Sequence, residues 1–304
     1  MILSICIPIY NTDIRPLATE LHRQIQAFSS EVELLFLDDA SDVFFKEINR
    51  SVGAFSDYQE LSVNIGRSKI RNAFLPFVKG THLLFLDGDS IVYRTDFIQK
   101  YLEFIRDNSI DLVVGGREET TTRPSRSHLL RWEYSRKRES KTTEERITDR
   151  ISAFKSNNFI VKKSIFVENP FDESISTYGH EDTLFGFQLY TKGVVCKHID
   201  NPIKNDDLVE NHAFLLKTKD AVSNLWRISQ KLQDDRFNQQ QKLVILAVRI
   251  HQSKVIRVIF HGFGQVFQPM LSFLLAKGYF RLWMFDVYRV IELERIIRKN
   301  GTNQ

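Results

Sequence analysis

"THLLFLDGDSIVY" (residues 81–93) carries a run of apolar and aromatic side chains into two aspartates separated by one glycine. A strand that ends this way sets Asp87 and Asp89 side by side, two like charges at the edge of an apolar layer. Asp-Gly is a common turn dipeptide, because aspartate hydrogen-bonds its own backbone there and glycine accepts positive φ. A divalent cation is the other reading, since its charge makes carboxylates at i and i+2 compatible. Taken alone the stretch reads as the turn, and its context decides between the two.

Apolar runs at 2–9, 32–37, 82–86 and 110–114 read as buried strands, with helical spacing near 15–28, 67–78 and 95–106. This βαβ rhythm predicts an α/β fold: a mostly parallel sheet with helices on both faces, whose ligands bind beyond the carboxyl ends of the strands. Those ends are polar. "PIYN" closes the first strand with Pro8, Tyr10 and Asn11, and "LDDAS" closes the second with Asp38, Asp39 and Ser41. Residues 117–150 are dense in both charges and predict a mobile surface segment, mostly solvated helix, anchored by Trp132. Strand character returns at "SNNFIVKKSIF", helical spacing runs from Glu181 to Tyr190, and 207–298 read as almost wholly helical with breaks near Gly262–Gly264 and at Pro269. The expected organisation is an α/β domain over 1–214 and a helical region over 215–304.

With 304 residues, 42% hydrophobic and 12% aromatic, the chain can bury a sizeable core, which excludes a disordered protein. Cys6 and Cys196 each fall in a strand-like apolar stretch, arguing against a disulfide framework or a cysteine metal site and for a reducing, cytoplasmic setting. "MILSICIPIYN" reads as a strand rather than a targeting signal. No run reaches the ~18 consecutive apolar residues of a membrane span, so the expectation is a chain that does not cross a bilayer. Residues 215–304 hold 15 Lys+Arg against 6 Asp+Glu, an excess of +9, while residues 1–214 hold 27 against 32, or −5. The two parts have different electrostatic jobs, and no nucleic-acid partner is expected.

As an ordered set, "PIYN", "LDDAS", "NIGRSKIRN" (64–72), "LDGDS" and "YGHED" (178–182) resemble the family 2 glycosyltransferases of the GT-A fold. The resemblance covers roughly residues 2–215; "LWMFDVYRV" (282–290) is a weaker likeness to the tails of short bacterial members. It implies a Rossmann-like GT-A domain and an inverting, hexosyltransferase-type enzyme. Such an enzyme moves sugar from a UDP-, GDP- or dTDP-type donor to a hydroxyl of a glycan or lipid-linked acceptor, in bacterial polysaccharide or cell-envelope synthesis. It also implies Mn²⁺ or Mg²⁺, a Lewis acid for the leaving diphosphate, held by Asp89 as the more direct ligand and by Asp87. The donor would be held by Pro8, Tyr10, Asn11, Asp39, Arg71 and Asp87. A carboxylate at Asp39 suits a base with a ring N–H and disfavours cytosine, with Asp38 either sharing that role or capping the strand. Arg67 and Arg71 share a helix face suited to a diphosphate, and the family's Arg-Asn pair, here Arg71 and Asn72, selects Arg71. Asp182 is the implied base that takes the acceptor proton, with Glu181 binding the acceptor; acidic residues opening a helix are otherwise ordinary dipole partners.

One position departs from the pattern. Where many relatives carry a metal-binding histidine this chain has Asn205, and the replacements to consider are Asn205 itself, Asp206, Asp207 and His212. The departure opens a rival reading, a catalytically weakened GT-A module that binds nucleotide-sugar or a partner without transfer, against which Glu181 and Asp182 both stand. A receiver or phosphate-hydrolysing domain leaves "YGHED" and Tyr10 unexplained, and a glycoside hydrolase has no use for a metal-diphosphate site. For the basic, aromatic tail two expectations stand: peripheral contact with the inner face of a membrane, or packing within the protein or a dimer.

Overall fold

The structure is a computed structural model that describes residues 1–107, 111–148, 154–205 and 209–301. Its strands, in chain order, are β1 (Leu3–Ile9), β2 (Val32–Asp38), β3 (Asp57–Glu60), β4 (His82–Leu86), β5 (Ser90–Ile91), β6 (Leu112–Val114), β7 (Arg117–Glu118), β8 (Asn158–Lys162), β9 (Cys196–His198) and β10 (Ile203–Asn205). The α-helices are α1 (Arg15–Ile25), α2 (Val43–Asn49), α3 (Arg67–Asn72), α4 (Phe97–Asp107), α5 (Leu129–Tyr134), α6 (Thr143–Thr148), α7 (Lys163–Glu168), α8 (Glu181–Thr191), α9 (Asn211–Leu232), α10 (Asp235–Asn238), α11 (Lys242–Gln252), α12 (Lys254–Ala276) and α13 (Leu282–Gly301). They form two compact units: Met1–Thr120, Ser140–Ser176 and Glu181–Asp207 make the first, and Thr121–Glu139, Thr177–His180 and Leu208–Gln304 the second. The units are therefore interleaved along the chain rather than separated by one cut between 214 and 215.

In the first unit a seven-stranded sheet has the order β3-β2-β1-β4-β8-β6-β9. β1 pairs in parallel with both β2 and β4, and β8 is antiparallel to β4 and β6. β1 and β2 are apolar at nearly every position because both faces of the sheet are covered. Alternation then divides the side chains: Ile5, Ile7, Leu34, Phe36 and Leu84 pack with Leu21 of α1 and Leu102 of α4. Cys6, Leu35, Leu37, Leu83 and Phe85 join a phenylalanine-rich layer on the other side. There Phe85 stacks on Phe159 at 5.1 Å and Phe171 on Phe185 at 4.2 Å.

The chain lays β1, β2 and β3 outward in one direction, then returns to place β4 on the other side of β1. A reversal of this kind leaves a crevice beyond the carboxyl ends of the two central strands. Close by, the short β5-β10-β7 sheet sets Asn205 opposite Ser90. The predicted helix over 67–78 ends at Asn72, because the residue before Pro76 is sterically biased away from helix. Over 117–148 most positions are exposed or partly exposed and Trp132 is the buried anchor expected, but the segment is tied down at more points than that one. Leu129, Leu130 and Trp132 are buried in the second unit, and Arg146 is buried in the first, where its guanidinium donates to the carbonyls of Gly115 and Ile199.

The second unit centres on Leu130, Phe214, Leu271, Leu275, Phe285 and Ile291. Buried Asn211 stitches three segments together: its Nδ2 donates to the carbonyls of Arg126 and Ala276, and its Oδ1 accepts from the Leu130 N–H at 2.8 Å. The expected breaks at Gly262–Gly264 and Pro269 do not occur, since α12 runs unbroken through all three. A proline inside a helix costs ~3 kcal/mol through its lost N–H and ring clash. The buried contacts of Leu271 and Leu275, and the close approach of Ile291 that Gly264 permits, offset it. By length and composition α12 is also sufficient to cross a membrane, which the interrupted apolar pattern had argued against.

Glu294 of α13 is buried, with the His251 Nε2 at 3.7 Å and the His261 Nδ1 at 3.9 Å. Burial holds the His251 imidazole below the ordinary 6.5, outweighing the upward pull of Glu294, and Arg257 adds to the depression. The unfolded chain therefore binds this proton more readily, so the contribution of His251 is present above its unfolded value and is lost as pH falls through the depressed folded one. Thermal melts taken from neutral pH downward should show the melting temperature falling below about pH 6.5, with a flatter profile in His251→Gln.

Candidate active site

The carboxyl ends of β1 and β2 are joined by side chains. Asn11 lies at φ 49 and Ala40 at φ 59, a left-handed conformation that costs a non-glycine residue of order 1 kcal/mol and gathers at functional sites. The Asn11 N–H donates to the Ser41 Oγ at 2.9 Å, and its side chain exchanges two bonds with Asp42, donating to Oδ2 and accepting from the backbone N–H. Pro8 lies in β1 beneath this junction, and Tyr10 projects from it, 55% exposed.

The two aspartates of "LDDAS" differ. Asp38 is fully buried and accepts from the Ser41 N–H at 2.6 Å and the Tyr58 hydroxyl at 3.3 Å, so it caps the strand end. Asp39 receives the Ile65 N–H on one oxygen at 2.7 Å and the Gly66 N–H on the other at 3.0 Å. Burial raises its carboxyl above the usual range even though both amides favour the charged form. Gly66, at φ 85, makes the turn into α3 that a side chain would strain.

α3 then delivers Arg67 and Arg71, one turn apart, to a group of acids. The Arg71 guanidinium, 2% exposed, donates to Asp87 Oδ1 at 2.9 Å. Arg67 lies 3.6 Å from the other Asp87 oxygen and 3.1 Å from Glu181 Oε1. Glu181 is itself buried at the start of α8, and Arg71 reaches it at 3.9 Å. Gly88 suits a close approach: a Cβ there would stand 3.2 Å from the Pro8 carbonyl oxygen, a tight contact that glycine spares where the loop after β4 lies against the end of β1.

Beyond Gly88, the Asn205 Nδ2 donates to Asp89 Oδ1 at 3.1 Å, while the Asn205 Oδ1 is buried without a hydrogen-bond partner. The other replacements separate: Asp206 and Asp207 lie outside the described residues, and His212 is an exposed residue of α9 in the second unit. In the first turn of α8, Asp182 receives the Thr183 N–H at 2.7 Å and pairs with the Lys155 Nζ at 3.3 Å. Lys155 escapes a reading of the sequence because nothing in its local pattern announces a partner 27 residues away. Arg67, set below Arg71 from sequence, carries the contact to Glu181; the i, i+4 spacing was its only signal.

Among the described residues, no three of His, Cys, Asp and Glu gather closely enough to hold a metal ion. What the end of β4 offers is two carboxylates and the Asn205 amide, an all-oxygen set. It fits a hard cation such as Mg²⁺ or Mn²⁺ that completes its shell with phosphate and water, and it offers nothing to a soft metal.

Arg71 is the group whose loss leaves most charge unpaired. Arg71→Met should lower stability by about 2–4 kcal/mol, because it strips Asp87 of its nearest cation in a partly buried setting. Arg71→Lys should recover part of that loss in the urea unfolding midpoint.

The family model for Glycosyl transferase family 2 matches residues 4–166. Among solved structures, S. aureus TarS 1-349 superposes with a TM-score of 0.55 at 17% identity, covering 100% of this chain and 92% of that one. The mannosyltransferase PcManGT of Pyrobaculum calidifontis, in complex with GDP-Man and Mn²⁺, gives 0.55 at 13%, covering 99% and 87%. The glucosyl-3-phosphoglycerate synthase of Mycobacterium tuberculosis, with Mn²⁺ and UDP, gives 0.51 at 14%, covering 75% and 80%. Against a longer S. aureus TarS structure the chain spans 55% of that chain, and no curated protein matches it in sequence. At these identities the neighbours establish the GT-A fold. With that fold in place and the family model spanning more than half of its residues, the chain belongs to the family 2 glycosyltransferases.

Proposed function

We propose that this glycosyltransferase is an inverting, metal-dependent enzyme that moves a sugar from a nucleoside-diphosphate donor to an acceptor hydroxyl of an envelope glycan or lipid-linked saccharide. The observation that carries the reading is the convergence of Asp87, Arg71, Arg67 and Glu181 beside the Asp89–Asn205 pair at the end of β4. Guanidiniums present forked N–H donors that phosphate oxygens accept, and with both arginines already paired to carboxylates the net positive charge a diphosphate needs would come from a divalent cation. Structural neighbours solved with UDP, UDP-GlcNAc and GDP-Man support the donor class; the acceptor class rests on family resemblance.

In this reading Tyr10 stacks on the nucleotide base, and Asp39 accepts the base N–H at a lone pair that its two backbone partners leave available. Pro8 and Asn11 shape the floor of the donor site through the β1–β2 junction. Asp89, Asp87 and Asn205 would hold Mg²⁺ or Mn²⁺, and the ion when bound supplies Lewis-acid stabilisation of the leaving diphosphate. Arg71 and Arg67 orient Asp87 and add positive charge for the phosphates. Arg67 engages Glu181, whose side chain is 6% exposed against 18% for Asp182. Asp182 is therefore the more accessible base, aligned by Lys155 and the Thr183 N–H, to take the acceptor proton while the hydroxyl attacks the anomeric carbon from the face opposite the leaving group. Asn205 in place of histidine is what favours the rival, a module that binds donor without transfer.

Calorimetric titration of UDP and GDP should show tighter binding with Mn²⁺ than with EDTA, and Asp89→Ala should abolish the difference; equal affinities would remove the metal assignment. Asp182→Asn should cut turnover by about 10²–10⁴-fold with donor affinity unchanged. A wild-type protein that binds donor yet neither transfers nor hydrolyses it across UDP-, GDP- and dTDP-sugars would establish the rival. An α-linked donor should yield a β-linked product by NMR.

A further inference from the structure

α12 is apolar on two opposite faces, and the fold uses one of them. Gly264, Gln268, Leu271 and Leu275 are buried, spaced at i, i+4, i+7 and i+11 along a single stripe. Half a turn away, Val255, Val258, Ile259, Val266, Met270 and Phe273 form a second stripe at the same helical spacing. All six are exposed, and all but Met270 are 60% exposed or more. Gly262 falls on this stripe, and a Cβ there would meet nothing within 4 Å. Six large apolar side chains aligned on one face and left in water call for an occupant.

The charge around it selects one. From Arg236 to Phe285 the chain carries seven Lys or Arg and neither Asp nor Glu. Lys254 and Arg257 flank the amino end of the stripe, and Lys277 and Arg281 follow its carboxyl end. Tyr279 and Trp283, exposed beyond the same end, have the half-apolar, half-polar character of side chains at a lipid–water boundary. We propose that α12 docks the protein on an anionic lipid bilayer, lying in the plane of the interface with the Val255–Phe273 stripe immersed among the acyl chains and the basic residues on the headgroups.

Two other occupants fit less well. A second copy seated on the stripe would bring the acid-free basic segments of both copies together. A membrane-spanning α12 would draw α13 with it: the Gln268 Nε2 donates to Glu292 Oε1 at 2.8 Å, and Glu294 lies 3.9 Å from the His261 Nδ1. Two carboxylates would then enter hydrocarbon, an unfavourable transfer.

The test is sedimentation of the full-length protein with vesicles of phosphatidylglycerol and phosphatidylcholine in equal parts, and with phosphatidylcholine alone. The protein should pellet with the anionic vesicles at low salt and should remain largely in the supernatant with neutral vesicles or at high salt, where the attraction is screened to short range. Val258→Asp with Val266→Asp should return it to the supernatant with an unchanged melting temperature. Should that variant melt early, Lys254→Gln with Arg257→Gln keeps the apolar stripe and should weaken the preference for anionic lipid, two of the seven basic residues being removed. The proposal is overturned if the wild type stays in solution with anionic vesicles at low salt or if the variants pellet as the wild type does. It is equally overturned if the stripe substitutions convert a vesicle-free dimer to monomer, or if carbonate fails to extract the protein from cell membranes. None of these outcomes depends on sugar transfer, so the docking reading stands or falls apart from the catalytic one.

Discussion

Carboxylates crowd the carboxyl edge of the first unit, and the buried Arg71 guanidinium is what makes that crowding tolerable. Asp87 and the neighbouring pair Glu181 and Asp182 come from distant parts of the chain, and like charges brought together repel in a setting of reduced dielectric. Arg71 sits 2.9 Å from Asp87 and 3.9 Å from Glu181, with Arg67 closing the remaining gaps. Guanidinium suits this place because its planar fork serves several acceptors at once and stays charged when buried. It also lies 5.4 Å over the Phe171 ring, so the polar network stands directly on the phenylalanine-rich layer and inherits its rigidity.

The rest of the edge follows from that network. Gly88 gives the loop after β4 room to lie against the Pro8 carbonyl, between Asp87, which accepts from Arg71, and Asp89, which accepts from Asn205 of β10. On the other side of β1, Asp39 fixes Ile65 and Gly66, the residues that launch α3 and so aim both arginines. Asp39 and the two arginines are thus tied to one short loop, and a change at either end is felt at the other.

The second unit answers to a different constraint. Its helices bury a core around Phe214, Phe285 and Ile291 while leaving one full stripe of α12 in solvent. The buried Glu292 and Glu294 sit among Gln268, His251 and His261, so polar groups gather inside this bundle while the exposed stripe of α12 is apolar. That inversion of the usual pattern of a soluble helix is what sets this part of the chain apart from the catalytic unit.

Much of the first unit was legible in the residues alone. Continuous apolar runs such as "LSICIPI" and "VELLFLD" have few alternatives to buried parallel strands, and polar clusters at their carboxyl ends mark the binding edge of such a sheet wherever they occur. Asp87, Asp89, Arg71, Glu181 and Asp182 could be singled out because each lies in a short motif whose chemistry is local. Tertiary structure alone decided the pairings: Arg67 with Glu181, Lys155 with Asp182, and Asn205 with Asp89 join residues 27 to 116 positions apart, and no periodicity encodes a contact that depends on how two elements pack. It also decided the course of α12. Glycine and proline reduce local helix propensity, but the continuous helix is set by what its buried face gains from α13, a gain that exists only once the helices have met.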